Sequence, residues 1–300
     1  MRGKIVRVKA ILLVALAALV GAMPVQAQPD PAMLVADIVP AIPGEQVLLP
    51  TVDPDTPDAE QWNRVFGQVW VRNVSRPALY PILPKNGRGN GKAVIIVPGG
   101  GYSFVSIESE GFWVAERLAA QGYTAFVLKY RPRQTPDSAE DFMAGLVADF
   151  GNLGNREIPD HQPAADDLAA AVAMVRDNAA QWQLDRDAIG VIGFSAGSRT
   201  AIRLLENHQE AQLLDHVALI YPPMTQTVAE GPRPDLFLAI AADDPLFRQG
   251  GLNLVANWLE ESPAVEFHLY SGGSHGFGMR PMGTTSDLWI HQYLAWLALQ

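Results

Sequence analysis

The chain has 300 residues, is 48% hydrophobic and sets 22 basic against 32 acidic residues, for a formal net charge of −10. That is enough apolar material to build a large core without covalent staples, and with no cysteine, disulfides, thiolate metal sites and cysteine nucleophiles are excluded. The negative balance repels polyanions at long range, so no nucleic-acid partner is expected.

The N-terminus combines a basic start (MRGKIVRVK), an apolar run (AILLVALAALVGAM) and the small-residue ending VQA at Ala27, the pattern of a secretory signal over residues 1–27. The run is short of the roughly 20 residues that a membrane span needs. Cleavage is therefore expected, with no stable membrane insertion afterwards and a secreted or periplasmic mature protein. Removing residues 1–27 takes away four basic residues and no acidic one, leaving a charge of −14.

Residues 28–64 read as a lead-in rich in proline and acids, with no clear period over 28–60, either hugging the surface or partly disordered. Residues 65–300 then read as one α/β domain. GQVWVRNV (67–74) alternates like a half-buried strand, and ALYPILP (78–84) has prolines that suit an edge strand. With no helix between them, these two should pair antiparallel at one edge. KAVIIVP (92–98) is a continuous apolar run, as a strand covered on both faces requires. A helix is predicted over 109–122, a buried strand over 123–130 and a further helix over 163–182. Between them, residues 131–162 form a Pro/Asn/Asp-rich excursion, a candidate cap or lid. AIGVIGF (188–194), HVALIYP (216–222), DLFLAIAA (235–242) and VEFHLY (265–270) complete the strands, with helices between and after them. Such alternation predicts a mostly parallel sheet with helices on both faces and antiparallel strands at its N-terminal edge. In these sheets chemistry sits beyond the carboxyl ends of the strands.

Gly193-Phe194-Ser195-Ala196-Gly197 fits the G-x-S-x-G elbow and stands between a buried strand and a helix, the setting that exposes a serine hydroxyl. A nucleophilic hydroxyl needs a base. His268 lies within a strand, His291 in the last helix, His208 at a polar helix end and His216 at a strand start, while His161 precedes a helix and suits capping or support. His275, in the loop SGGSHGFG after the last strand, is free to reach across the strand ends. An orienting carboxylate fixes such a histidine's tautomer, and AADDPLF offers two, Asp243 and Asp244. Pro245 pushes Asp244 into an extended backbone and favours it; the competing reading makes Asp244 a helix N-cap with Pro245 at the first helical position and leaves Asp243 for the histidine. The chain order Ser…Asp…His is the α/β-hydrolase order. VPGGGYS (97–103) supplies a glycine loop (Gly99, Gly100, Gly101) whose N–H groups can turn to a substrate oxygen. Phe104, Phe194, Tyr102 and Phe277 are expected near the mouth, leaving little room for a long acyl chain.

From about Val69 onward the sequence resembles the acetyl-xylan-esterase-like (BD-FAE-type) carbohydrate esterases of the α/β-hydrolase superfamily, which are related to hormone-sensitive-lipase-type esterases. The resemblance rests on VIIVPGGGYSFVSIESEGFWVAERLAAQGYTAFVLKYR, AADDLAAAVAMVRDNAAQWQLDRDAIGVIGFSAG, IYPPM, ADDPLF and SGGSHGFG. It implies an α/β-hydrolase fold, Ser195 as nucleophile, His275 as base, an aspartate at 243–244 as its partner, and oxyanion donors from Gly100, Gly101 and Ala196. The implied activity is hydrolysis of short acyl esters, acetyl first, on a carbohydrate such as acetylated xylan, with no metal or cofactor. A small-molecule or lipid ester is the alternative substrate, and a serine peptidase is disfavoured. One departure stands out: the family's Ser-Ala-Gly-Gly-His is here Ser-Ala-Gly-Ser-Arg, with Ser198 and Arg199 on the helix behind the nucleophile.

Overall fold

Residues 35–300, apart from 88, 156, 208–212, 232 and 263, are described by a computed structural model. The chain opens with β1 (Val35–Asp37), β2 (Val47–Leu48), β3 (Gln61–Val65), β4 (Gln68–Arg72) and β5 (Ala78–Ile82). The apolar run at 92–98 becomes β6 (Ala93–Val97), buried throughout, and a π-helical turn, Glu108–Phe112, leads into α1 (Trp113–Ala120) and β7 (Thr124–Lys129). Next come α2 (Ala139–Gly151), α3 (Gln162–Asp177), β8 (Ile189–Phe194), α4 (Ala196–Asn207), β9 (His216–Ile220) and β10 (Asp235–Ala241). Short helices α5 (Pro245–Gly250) and α6 (Asn253–Leu259), strand β11 (Val265–Tyr270) and α7 (Trp289–Leu297) finish the chain.

The main sheet runs β11-β10-β9-β8-β6-β7-β5-β2. Its six central and C-terminal strands are parallel, whereas β5 and β2 add antiparallel at the N-terminal edge. From β6 the chain goes to β7 on one side and then returns to β8 on the other, so the strand order reverses between β6 and β8. The loops after these neighbours part to opposite faces there and open a crevice. Val97 pairs with Gly193 across this boundary, which brings the glycine loop and the serine elbow side by side.

The two early strands do not pair with each other. Strand β4 joins β1 and β3 in a separate antiparallel sheet, while β5 goes to the main sheet. Asn73, at φ 54°, turns the chain between them, and Val71 bridges to Val105 beyond the glycine loop. The lead-in is likewise more ordered than its composition predicts, since β1, β2 and β3 all fall before residue 66. The excursion carries α2, capped by the Ser138 hydroxyl on the Asp141 N–H at 3.2 Å. Its Phe142, Met143 and Leu146 pack with Val65, Trp70 and Phe104 into a second apolar cluster, so the small sheet and the excursion together wall one side of the crevice. The excursion is tied to α3 by Arg131 and Asp167, 2.7 Å apart. The expected signal at 1–27 and residue His208 lie outside the described residues.

Candidate active site

Ser195 sits between β8 and α4 at φ 51°, a left-handed conformation that a serine holds only when its surroundings enforce it. The flanking glycines are required by contact: a Cβ at Gly193 would lie 2.5 Å from the Gly197 oxygen, and one at Gly197 would lie 1.9 Å from the Val97 oxygen. The elbow can therefore form only where strand and helix backbones touch. Ser198 takes up the polar burden behind it, its hydroxyl donating to the oxygens of Gly193 at 2.7 Å and Ile220 at 3.1 Å. Arg199 pairs with Asp160 and Glu206, so the departure from the family pattern anchors the excursion to α4.

The Ser195 Oγ lies 2.8 Å from the His275 Nε2, and the His275 Nδ1 lies 2.8 Å from the Asp244 Oδ2. Asp244 is fully buried and His275 nearly so. The other oxygen of Asp244 accepts the Leu246 N–H at 2.8 Å, capping α5 with Pro245 in its first turn. The two readings of Asp244 were thus never exclusive. Asp243 meets the histidine loop instead, accepting the Ser274 N–H at 2.8 Å.

In the glycine loop, Gly99 donates its N–H to Glu110 Oε2 at 2.6 Å and is not free for a ligand. Gly100 and Gly101 follow at φ 131° and 61°. A Cβ at Gly100 would lie 2.0 Å from the Phe104 oxygen, so only glycine fits there. Ala196 opens α4, where the first N–H groups have no acceptor within the helix and form the positive end of its dipole. All three expected oxyanion donors therefore border the serine.

Ser195 and His275 line a pocket of about 120 Å³ together with the aromatic residues Phe66, Trp70, Phe104 and Phe150 and the polar residues Gln68, Ser109, Glu110 and Arg280. Trp70 stacks on Phe104, with ring centroids 3.9 Å apart and planes 17° from parallel. A smaller cleft of about 20 Å³ also touches Ser195 and is lined by Gly101, Phe150, Leu153 and Ile158.

The model of the dienelactone hydrolase family matches residues 79–287, well over half of the chain. The chain belongs to that family. The family is one of hydrolases. Among curated proteins it is 33% identical over 115 residues to an acetylxylan esterase of Xylanibacter ruminicola, a match covering 38% of this chain and 18% of that one. The chain thus spans less than a fifth of that relative's length. Among solved structures it is similar to an acetyl ester-xyloside bifunctional hydrolase from Caldicellulosiruptor lactoaceticus, with a TM-score of 0.60, 19% identity and coverage of 85% and 96% of the two chains. A carboxylesterase from Lactobacillus plantarum gives a TM-score of 0.57 at 17% identity, covering 86% and 98%. These distant likenesses establish the α/β-hydrolase fold.

Against this dienelactone hydrolase framework, four aromatic residues were expected at the mouth. Only Phe104 lines the pocket; Phe194, Tyr102 and Phe277 are buried in the core. Phe66, Trp70 and Phe150 take their place because the small sheet and α2 fold over the crevice. Glu110, Tyr221 and Arg280 were not singled out by sequence reasoning. Glu110 had a readable signal, since with Val114 and Leu118 it falls on every fourth position of the buried helical stripe. Burial raises its carboxyl pKa, opposed by hydrogen bonds from Tyr221 and Gly99 and by the charges of His275 and Arg280.

Proposed function

We propose that this protein is a serine carboxylesterase that removes short acyl groups, acetyl by preference, from a carbohydrate ester, and that it acts as a secreted or periplasmic enzyme. The observation that carries this reading is the unbroken hydrogen-bonded line from Ser195 through His275 to Asp244 beside a pocket. His275 takes the serine proton as Oγ attacks the ester carbonyl, and buried Asp244 holds the ring in the tautomer that makes this transfer productive. The developing oxyanion is received by the N–H groups of Gly100, Gly101 and Ala196. His275 then gives its proton to the departing alcohol, and a water molecule, deprotonated by the same ring, releases the acid. These steps use only the chain's own residues and water.

A carbohydrate alcohol is favoured by the aromatic shelf of Trp70 and Phe104 beside Gln68 and Ser109, a pairing of flat apolar and polar surfaces that suits a sugar ring. The partial identity to an acetylxylan esterase points the same way. No described helix is long and apolar enough to cross a membrane, and the signal-like start favours export. The test is a panel of p-nitrophenyl esters beside acetylated xylan and an anilide. Ester cleavage with acetate release from xylan is expected; cleavage of the anilide alone would make the protein a peptidase-type hydrolase. N-terminal sequencing of exported protein should give Gln28 as the first residue.

A further inference from the structure

We infer that Glu110 is a positioning residue that lends its charge to the His275 imidazolium while pinning the oxyanion loop. The inference rests on the esterase reading of Ser195, His275 and Asp244.

Glu110 sits in the π-helical turn before α1, an irregularity often found at functional sites. Its two oxygens are divided between two other loops of the crevice. One accepts the Gly99 N–H at 2.6 Å, which leaves Gly100 and Gly101 as the next amides in line. The other accepts the Tyr221 hydroxyl at 2.8 Å. Tyr221 is itself at φ 40° after β9 and sets its ring edgewise on His275, with centroids 5.0 Å apart. The histidine loop closes on the same carboxylate: a Cβ at Gly278 would lie 3.1 Å from the Glu110 Cγ, and the Met279 N–H reaches the Ser109 oxygen at 3.1 Å. One buried side chain therefore joins the glycine loop, the loop after β9 and the histidine loop.

A structural peg could be neutral, and a glutamine would serve. What a carboxylate adds is charge. Glu110, His275 and Arg280 line the same pocket as Ser195. The titratable and charged groups around the pair are Asp244 at the far nitrogen of the ring, Tyr221 between them, Arg280 on the histidine loop and Asp243 on the Ser274 amide. Asp244 fixes the ring from one side. With its hydrogen bonds from Tyr221 and Gly99 and the charges of His275 and Arg280 opposing the effect of burial, an ionised Glu110 is the second anion that the imidazolium meets when it forms, and the attraction acts through an interior that screens poorly.

The test is Glu110→Gln. The amide oxygen can still accept the Gly99 N–H, while its NH2 must donate to the Tyr221 oxygen, so both partners are kept, the Tyr221 bond reverses direction and the charge is lost. We expect an unchanged KM for p-nitrophenyl acetate and a kcat lower by about tenfold, the factor given by one pKa unit of lost charge interaction. The acid limb of the kcat/KM–pH profile should move to lower pH, because losing a nearby anion disfavours the protonated ring. Glu110→Asp is the second arm. It keeps the charge and shortens the reach, so KM and kcat should worsen while the limb stays in place. An unmoved limb in Glu110→Gln with kcat within twofold of wild type overturns the inference. So does a limb that moves in Glu110→Asp, and that arm decides alone if Glu110→Gln does not fold. Absence of ester hydrolysis in the wild type would instead remove the esterase reading itself.

Discussion

Asp244 serves two partners with one carboxylate: Oδ2 faces the His275 Nδ1 and Oδ1 takes the Leu246 N–H, each at 2.8 Å. Helix α5 therefore fixes the acid in place, and the acid fixes the histidine. Asp244→Asn should reduce kcat by about 10³–10⁴-fold through the wrong histidine tautomer. Asp243→Asn keeps an amide oxygen that can accept the Ser274 N–H and loses only the charge, so it should cost roughly tenfold at most, a little over 1 kcal/mol, the scale of one ordinary hydrogen bond. Steady-state kcat for both variants decides the assignment; a large loss at Asp243 with Asp244→Asn near wild type would reverse it.

Ser195→Ala should leave the fold intact and abolish turnover, by about 10⁴-fold or more, as removal of a nucleophile does. An organophosphonate should label the wild-type protein at Ser195, read by mass spectrometry of the peptide. Retention of more than a tenth of wild-type activity would mean that another group attacks the ester.

The lead-in can be tested through stability. Lys129 ends β7 almost fully buried, and its Nζ meets Glu60 Oε2 at 2.5 Å and Gln46 Oε1 at 3.1 Å. Removing one partner of a buried pair strands the other charge, at about 3–5 kcal/mol. Glu60→Ala should therefore lower Tm by roughly 10 °C for a domain of this size. The double change Glu60→Leu with Lys129→Met should recover much of that loss in the same thermal melt. A Tm for Glu60→Ala within two degrees of wild type would mean that water reaches Lys129.

How much of this was readable depends on which interactions define each part. The buried strands at 93–97 and 189–194 are covered on both faces and therefore apolar throughout, which a single sequence displays. The elbow is local too, because its glycines are demanded by contacts within a few residues. Strands β1 and β2 have three and two residues and exist only through pairing with β3 and β5. No local pattern that short can announce them. Helix α2 was legible in principle from Ser138 and the spacing of Phe142, Met143, Leu146 and Val147, but its proline-rich surroundings masked it. At the site, the hydrogen-bonded line Ser195–His275–Asp244 follows from motif and chain order. Glu110 and the aromatic wall do not, because their roles arise where distant segments meet.

On the proposed esterase reading, the two clefts beside Ser195 are expected to take the two halves of the substrate. His275 must give its proton to the departing alcohol, so the alcohol lies on the side that His275 lines, in the larger pocket. The acyl group is left with the smaller cleft, which His275 does not border. Its volume of about 20 Å³ exceeds only slightly the ~10–15 Å³ that one water-sized group requires. We therefore expect an acetyl methyl to be accepted and an octanoyl chain to be excluded. With p-nitrophenol as the common alcohol, kcat/KM should fall from acetate to octanoate. Leu153 and Ile158 form the cleft wall, so Leu153→Ala or Ile158→Ala should move the optimum toward butyrate. The gain should be about fourfold for each methylene accommodated, from ~0.8 kcal/mol per buried CH2. Phe66→Ala, in the larger pocket, should leave the acyl profile unchanged and alter the preference among acetylated alcohols. A chain-length profile that shifts in Phe66→Ala but not in the two aliphatic variants would exchange the roles of the clefts.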